Sequence, residues 1–235
     1  MRTAILHYHL FKNAGTSVDQ LLRHNFPDGW DSREFPGQGG NNTALVREWI
    51  LDRPDISAFS SHTMLGPLPE APGLRVIPVV LLRDPIARIT SAYQFERTQR
   101  ADTRGAKLAK AHDLEGYVSA RLAMPGDRQC RNFQTGRLAT LLPDTIPELE
   151  RARAAVKQLR QCGIVGLVEA FDRAMAELRL LALQAFPAFE ITPVRANMSG
   201  PQRTEVSKRL RERLEHSNAH DIRLLRDVEA LMAAA

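Results

Sequence analysis

The sequence predicts an α/β fold, a three-layer sandwich in which helices flank a central parallel β-sheet. Three observations carry this. The runs at residues 3–10 and 79–82 are predominantly apolar, as in strands covered on both faces. Each run leads into a turn signature, Ala14-Gly15 in the first case and Asp84-Pro85 in the second, that opens a helical pattern. Strand and helix patterns then alternate along the chain, the order that builds a parallel sheet clothed by helices. With 235 residues and 43% hydrophobic content, residues 1–235 can bury a full core as a single domain.

The first strand, residues 3–10, runs through Lys12-Asn13-Ala14-Gly15-Thr16-Ser17 into a helix marked by Val18, Leu21 and Leu22. Residues 27–43 hold Gly29, Gly37, Gly39 and Gly40 among polar side chains and read as a long mobile loop. A short helix over 44–51 precedes a strand over 56–60 that ends at Ser61-His62. A loop covers 67–73. The next strand begins after Pro78, because proline removes a ladder donor. Asp84 suits an N-cap and Pro85 a first helical position, ahead of a helix over 86–99 carrying Ile86, Ile89 and Tyr93. Helices follow over 113–123, 128–141 and 146–161, then a strand at 164–168 and a helix over 171–185. A fifth strand is expected at 192–196, and two charged helices close the chain.

Composition narrows the function classes. No stretch approaches a membrane span, and the first strand begins almost at Met1 with no signal peptide ahead of it, so a cytoplasmic protein is expected. Cys130 and Cys162 are too few and too far apart for a metal cluster and are read as free thiols. His7 and His9 project from one face of the first strand, but no carboxylate or cysteine stands at a recognisable metal-ligand spacing, so no metal is expected. The net charge of +5 favours anionic partners, yet no aromatic interleaving or known module points to nucleic acid. Of the 32 basic residues 27 are arginine, which makes a lysine at position 12 the less arbitrary choice of charge.

In open parallel sheets ligands bind beyond the carboxyl ends of the strands. Three of the predicted strands end at Lys12, His62 and Arg83. A strand that turns through glycine into a helix aims free N–H groups and the positive end of the helix dipole at one point, which suits a phosphate or sulfate. The loop is not a Walker A sequence, since its lysine precedes the glycine by three residues. Taken alone, Lys12 to Ser17 is equally an ordinary strand-to-helix turn, Arg83 a salt-bridged strand end, Ser91 a solvent-facing helical serine and His62 a partly buried loop histidine.

The order Lys12-Asn13-Ala14-Gly15-Thr16-Ser17, with His9 three residues before the lysine, resembles the 5′-phosphosulfate loop of sulfotransferases that use 3′-phosphoadenosine-5′-phosphosulfate (PAPS). It is most similar to the carbohydrate, heparan-sulfate-type branch, whose loop commonly reads His-Ile-Pro-Lys-Thr-Ala-Gly-Thr-Ser. Phe11 stands where that pattern has proline, and Asn13 where it has threonine. The segment Arg83-Asp84-Pro85-x-x-Arg88-x-x-Ser91-x-Tyr93 resembles the 3′-phosphate-binding segment of the same enzymes. The resemblance implies a P-loop-like sandwich and a sulfotransferase that moves a sulfuryl group from PAPS to an acceptor hydroxyl on a carbohydrate, releasing 3′,5′-adenosine bisphosphate (PAP) without a metal. It places Lys12, Asn13, Ala14, Gly15, Thr16 and Ser17 at the 5′-phosphosulfate, Arg83 and Ser91 at the 3′-phosphate, and His62 as the catalytic base, with Lys12 stabilising the departing oxygen. Arg195-Ala196-Asn197-Met198-Ser199-Gly200, followed by Arg203, resembles the late loop that closes over the phosphoadenosine, which adds Asn197 and Ser199.

Softer likenesses are Gly166-Leu167-Val168-Glu169-x-Phe171-Asp172, read as structural, and Asn132-x-Gln134-Thr135-x-Arg137, read as a polar stretch near the ligands or a solvated helical face. Two other functions stay open: a P-loop-type kinase requiring ATP and magnesium, against which the position of the lysine weighs, and a non-catalytic polyanion-binding protein using the arginine-rich surface.

Overall fold

In chain order the elements are β1 (Arg2–Tyr8), α1 (Gly15–Asn25), β2 (Trp30–Ser32), α2 (Thr43–Leu51), β3 (Ala58–Ser61), β4 (Leu74–Leu82), α3 (Pro85–Thr98), α4 (Arg104–Ala111), α5 (Leu114–Leu122), α6 (Phe133–Ala139), α7 (Glu148–Cys162), β5 (Ile164–Leu167), α8 (Phe171–Ala182), α9 (Lys208–Ser217) and α10 (Ala219–Ala233). This is a computed structural model, and the residues it describes are 1–36, 40–192 and 205–233. The five strands form one parallel sheet in the order β2-β3-β1-β4-β5. β1 is central, with Ile5 beside Ala58 of β3 on one side and Ile77 of β4 on the other. The predicted α/β three-layer arrangement is therefore observed.

Alternation along the buried strands divides the core into two layers. Leu6, Phe59, Val80 and Val165 face Val46 and Trp49 of α2, Leu159 of α7 and Val228 of α10. Ile5, Ile77, Val79 and Ile164 face Val18, Leu21 and Leu22 of α1 and Met175 and Leu178 of α8. A third cluster beyond the sheet joins α3, α4, α5 and α9 through Ile89, Ala109, Tyr117 and Leu214. No side chain caps the N-terminus of α1. Its apolar stripe holds it instead, since full burial of a leucine stabilises by roughly 1.5–3 kcal/mol. Among the described residues, the amides of Gly15 and Thr16, the first two residues of α1, are left without an acceptor.

Several expectations are corrected. The loop expected at 27–43 contains β2, which pairs Trp30 with Ala58 and Ser32 with Ser60 at the sheet edge. Three residues carry no readable period, and the strand exists because β3 offers it a ladder. Phe35, further along the same stretch, is buried against Trp49. Pro78 lies inside β4, not ahead of it, and is in register with Leu6. It is tolerated because its ring faces Gly163, one residue before β5, where the β4–β5 ladder has not begun. The expected helix at 128–141 is confined to α6, α4 is additional, and the strand expected at 192–196 lies outside the described residues from 193 onward. The fifth strand of the sheet is β2.

Among the described residues no helix is long and apolar enough to cross a membrane. Cys130 and Cys162 are free, and burial pushes the Cys130 thiol up to about 12.

Gly163 has no room for a side chain: a Cβ there would lie 2.2 Å from the carbonyl oxygen of Pro78. Because that neighbour is backbone in a central strand, Gly163→Ala is expected to destabilise by about 1–3 kcal/mol. Urea denaturation checks this, and an unchanged midpoint would contradict the packing.

Candidate functional site

The β1–α1 connection is wound tightly. Lys12 and Ala14 both adopt left-handed backbone, with φ of 65° and 58°. Each such non-glycine residue costs of order 1–2 kcal/mol. In this conformation the N–H groups of Ala14, Gly15 and Thr16 find no acceptor among the described residues, while Ser17 and Val18 bond back to the Ala14 carbonyl. Free amides at the N-terminus of an eleven-residue helix make a positive concavity. Lys12 stands over Phe95 with Nζ 4.5 Å from the ring centroid, and burial, then the nearby Arg83, lowers its pKa. Phe11 meets the edge of the same Phe95 ring.

Arg83, one residue past β4, donates from Nη1 to the Lys12 carbonyl at 3.0 Å. Its Nε is buried without a partner among the described residues. The position of this segment is set by Gln134 of α6, whose Oε1 accepts from the Arg83 amide and from Asn13 Nδ2, and whose Nε2 donates to the Arg83 carbonyl. Asn13 also donates to the Leu81 carbonyl at 2.7 Å, so its side chain is a strap between loop and strand. Its Oδ1 is buried without a partner among the described residues. Asp221 of α10 receives the amides of Gln134 and Thr135 and the Thr135 hydroxyl. Of the two readings left open for this stretch, the solvated face does not hold for Gln134 and Thr135: both are fully buried, and the amide is a bracket for the site. Arg137 of α6 donates to the carbonyls of His62 and Met64 and so holds the chain after β3.

Three imidazoles and two carboxylates form a connected row at the neighbouring strand ends. His7 Nδ1 lies 2.7 Å from Asp19 Oδ1, and His9 Nδ1 lies 2.9 Å from Asp19 Oδ2. Ser60 Oγ approaches His7 Nδ1 at 3.0 Å. His9 stacks on His62 with ring centroids 3.8 Å apart. His62 Nδ1 in turn meets Glu34 Oε1 at 2.9 Å, and Glu34 also accepts the His62 amide and the Thr63 hydroxyl. An ionised carboxylate only accepts, so Nδ1 of His9 and of His62 carries the proton, and Nε2 of each holds the lone pair. Burial pushes Asp19 upward, but hydrogen bonds from His7 and His9 hold it far below the usual carboxylate range. Burial and then His9 lower His62, against the pull of Glu34. A neutral His62, 46% exposed at the side chain, can accept a proton at Nε2.

His7, His9 and Asp19 are also the group whose donor atoms lie close enough together to be considered for a metal. Each Nδ1, however, sits at hydrogen-bond distance from its own carboxylate oxygen, the geometry of two N–H donors on one acceptor. The expectation that no carboxylate accompanies the two histidines is corrected, since Asp19, one turn into α1, is that partner.

The structure thus gathers Lys12, Asn13, Ala14, Gly15, Thr16, Ser17, His62 and Arg83 at one edge of the sheet, at the ends of adjacent parallel strands. Asp84 caps α3 by accepting from Ala87, as its sequence context predicts. Ser91, in the second turn of α3, is buried, and its hydroxyl makes no hydrogen bond to a described residue. Asn197 and Ser199 lie outside the described residues. Arg88 is fully buried, with its guanidinium 4.4 Å from the Phe133 centroid and Nη2 on the Gln129 carbonyl. Sequence reasoning missed Asp19 and Glu34. Asp19 was detectable, because a carboxylate one turn into α1 shares a face with loop-end histidines; Glu34 had no signal.

Fold and site define an α/β protein whose parallel sheet presents free amides, cations and carboxylate-held imidazoles at its carboxyl edge. No family profile matches the chain. Over 218 residues, 89% of this chain and 85% of the other, it is 37% identical to a protein of Archaeoglobus fulgidus described as uncharacterized. At that identity and coverage the chain belongs to the same family as the archaeal protein.

Asp19, ionised in the fold, contributes stability that is present above the ordinary carboxylate value of about 3.9 and lost as the pH falls below it. Asp19→Asn is expected to cost about 2–4 kcal/mol at neutral pH. The difference from the parent should shrink as the pH is lowered below about 4. Urea midpoints measured across that range test it, and a pH-independent gap would contradict the assignment.

Proposed function

We propose that the protein is a sulfotransferase that takes a sulfuryl group from PAPS and delivers it to an acceptor hydroxyl, with a carbohydrate as the acceptor class. The observation that carries the reading is the meeting of the strained Lys12–Thr16 loop, Arg83 and the Glu34-held His62 at adjacent strand ends. Sulfuryl transfer resembles phosphoryl transfer in depending on positioning and charge stabilisation, with nucleophile and leaving oxygen in line. The free amides and Lys12 suit the 5′-phosphosulfate and the negative charge that develops on the oxygen of departing PAP. Arg83, with Nε unpartnered, suits the 3′-phosphate, with Ser91 assigned beside it. His62 Nε2 takes the proton of the acceptor hydroxyl as the new S–O bond forms, and Glu34 keeps the opposite nitrogen protonated.

PAP at millimolar concentration, without added metal, should raise the melting temperature by several degrees, as expected for a ligand far above its dissociation constant. Lys12→Ala should lose most of that shift, and an absent shift in the parent would defeat the donor assignment. His62→Ala should keep the shift and abolish transfer of labelled sulfate in an acceptor screen; retained transfer removes His62 from the mechanism. A shift produced only by ATP with magnesium would favour a kinase instead.

A further inference from the structure

We propose that His9, backed by Asp19, is a second cationic ligand, beside Lys12, of the oxyanion that the Lys12–Thr16 loop holds, and that it takes up its proton as the anion binds. The inference rests on the reading of that loop as an oxyanion site. Its origin is the position of the His9 ring, which lies directly over Gly15: a Cβ at Gly15 would fall 2.2 Å from His9 Nε2. The free nitrogen of the imidazole is therefore at the first residue of α1, beside the unbonded amides of Ala14, Gly15 and Thr16. Nε2 has no hydrogen-bond partner among the described residues, whereas Nδ1 is held by Asp19 Oδ2 at 2.9 Å. Gly15 leaves the space that the ring fills.

An imidazole so placed has two states with opposite consequences. With Nε2 unprotonated, a lone pair points at the place where an anion's oxygens would come, and repels them. Protonated, the same atom donates a charge-assisted hydrogen bond. In the structure as described, burial lowers the pKa of His9, and His7 lowers it further, although Asp19 and Glu34 pull the other way. The charged and titratable groups around the ring are His7 from β1, Asp19 from α1, His62 from the chain after β3 and Glu34 from the chain after β2. His7 opposes a positive charge on the ring, and the two carboxylates favour it. An anion seated on the loop adds the missing favourable charge, so proton uptake and binding are linked and each strengthens the other.

Inorganic sulfate is the probe, because it stays doubly ionised across about pH 5–8, the window in which an imidazole titrates. Calorimetric titrations in buffers of different ionisation enthalpy are expected to show uptake of up to about one proton per sulfate, with affinity falling up to about tenfold per pH unit as the pH rises. His9→Gln should abolish the uptake and flatten the pH dependence. His62→Phe, which keeps a ring against His9 but removes the titratable nitrogens of that stacked neighbour, should retain both. Histidine nitrogen chemical shifts in the parent should show His9 Nε2 gaining a proton when sulfate is added, a readout that does not depend on how the variants fold. Binding with no proton uptake, uptake unchanged in His9→Gln, or a His9 Nε2 unaltered by sulfate would each overturn the proposal. Sulfate binding that survives Lys12→Ala unchanged would instead overturn the placement of the anion in this loop, and with it the functional reading.

Discussion

The side-chain amide of Gln134 is the contact on which the geometry of the sheet's carboxyl edge depends. It is fully buried, it bonds both the amide and the carbonyl of Arg83, and it takes a hydrogen from Asn13. One planar group thus ties the end of β4 to the β1–α1 loop, and Asp221 fixes the start of α6 from the opposite side. A satisfied neutral hydrogen bond contributes about 1 kcal/mol net, whereas leaving a buried partner unmade costs about 1–3 kcal/mol. The asymmetry explains the arrangement: the bracket adds modest stability when complete and penalises any displacement of Arg83 or Asn13. Position is enforced more strongly than stability is gained.

Around that bracket the site separates its charges. Lys12 and Arg83 stand on the loop side, while Asp19 holds an imidazole nitrogen of each of His7 and His9, and Glu34 holds one of His62. Carboxylates this near an anion site would repel a ligand if they faced it. Because their oxygens are occupied by N–H groups of His7, His9 and His62 and by the Thr63 hydroxyl, their charge acts through the rings and fixes which nitrogen is bare. Placing acid, imidazole and cation in that order lets one small area hold opposite charges without neutralising it by direct ion pairs.

The layered fold was legible because its signals are local. The apolar runs of β1 and β4, the Asp84-Pro85 helix start and the helical stripe of α1 follow from short-range pattern, and the strand ends bearing Lys12, His62 and Arg83 could be placed from it. β2 was not legible, since three residues with no alternation become a strand only when an edge is offered. Pro78 misled for a related reason: whether a missing donor matters depends on the neighbour, here Gly163, which sits 85 positions further along the chain. Gln134 and Thr135 carry residue types usual on a wet surface, and partners distant in sequence, Asn13 and Arg83 for the Gln134 amide and Asp221 for Thr135, are what permit their burial. Glu34 lies in a stretch without period, and its pairing with His62 is purely tertiary.

The two left-handed residues in the loop have a further consequence. Lys12 and Ala14 hold backbone angles that an unrestrained chain of these residues would leave, so the winding is maintained by the surrounding structure: the Asn13 strap, the Arg83 bond to the Lys12 carbonyl and the packed stripe of α1. The cost of shaping the loop is met during folding, not at the moment of an encounter. A visiting ion therefore meets donors already aimed, and its arrival orders little that was loose before. Such a loop discriminates by fit: ions whose oxygens match the fixed amides gain the full interaction, and those that do not cannot recruit the chain to adapt.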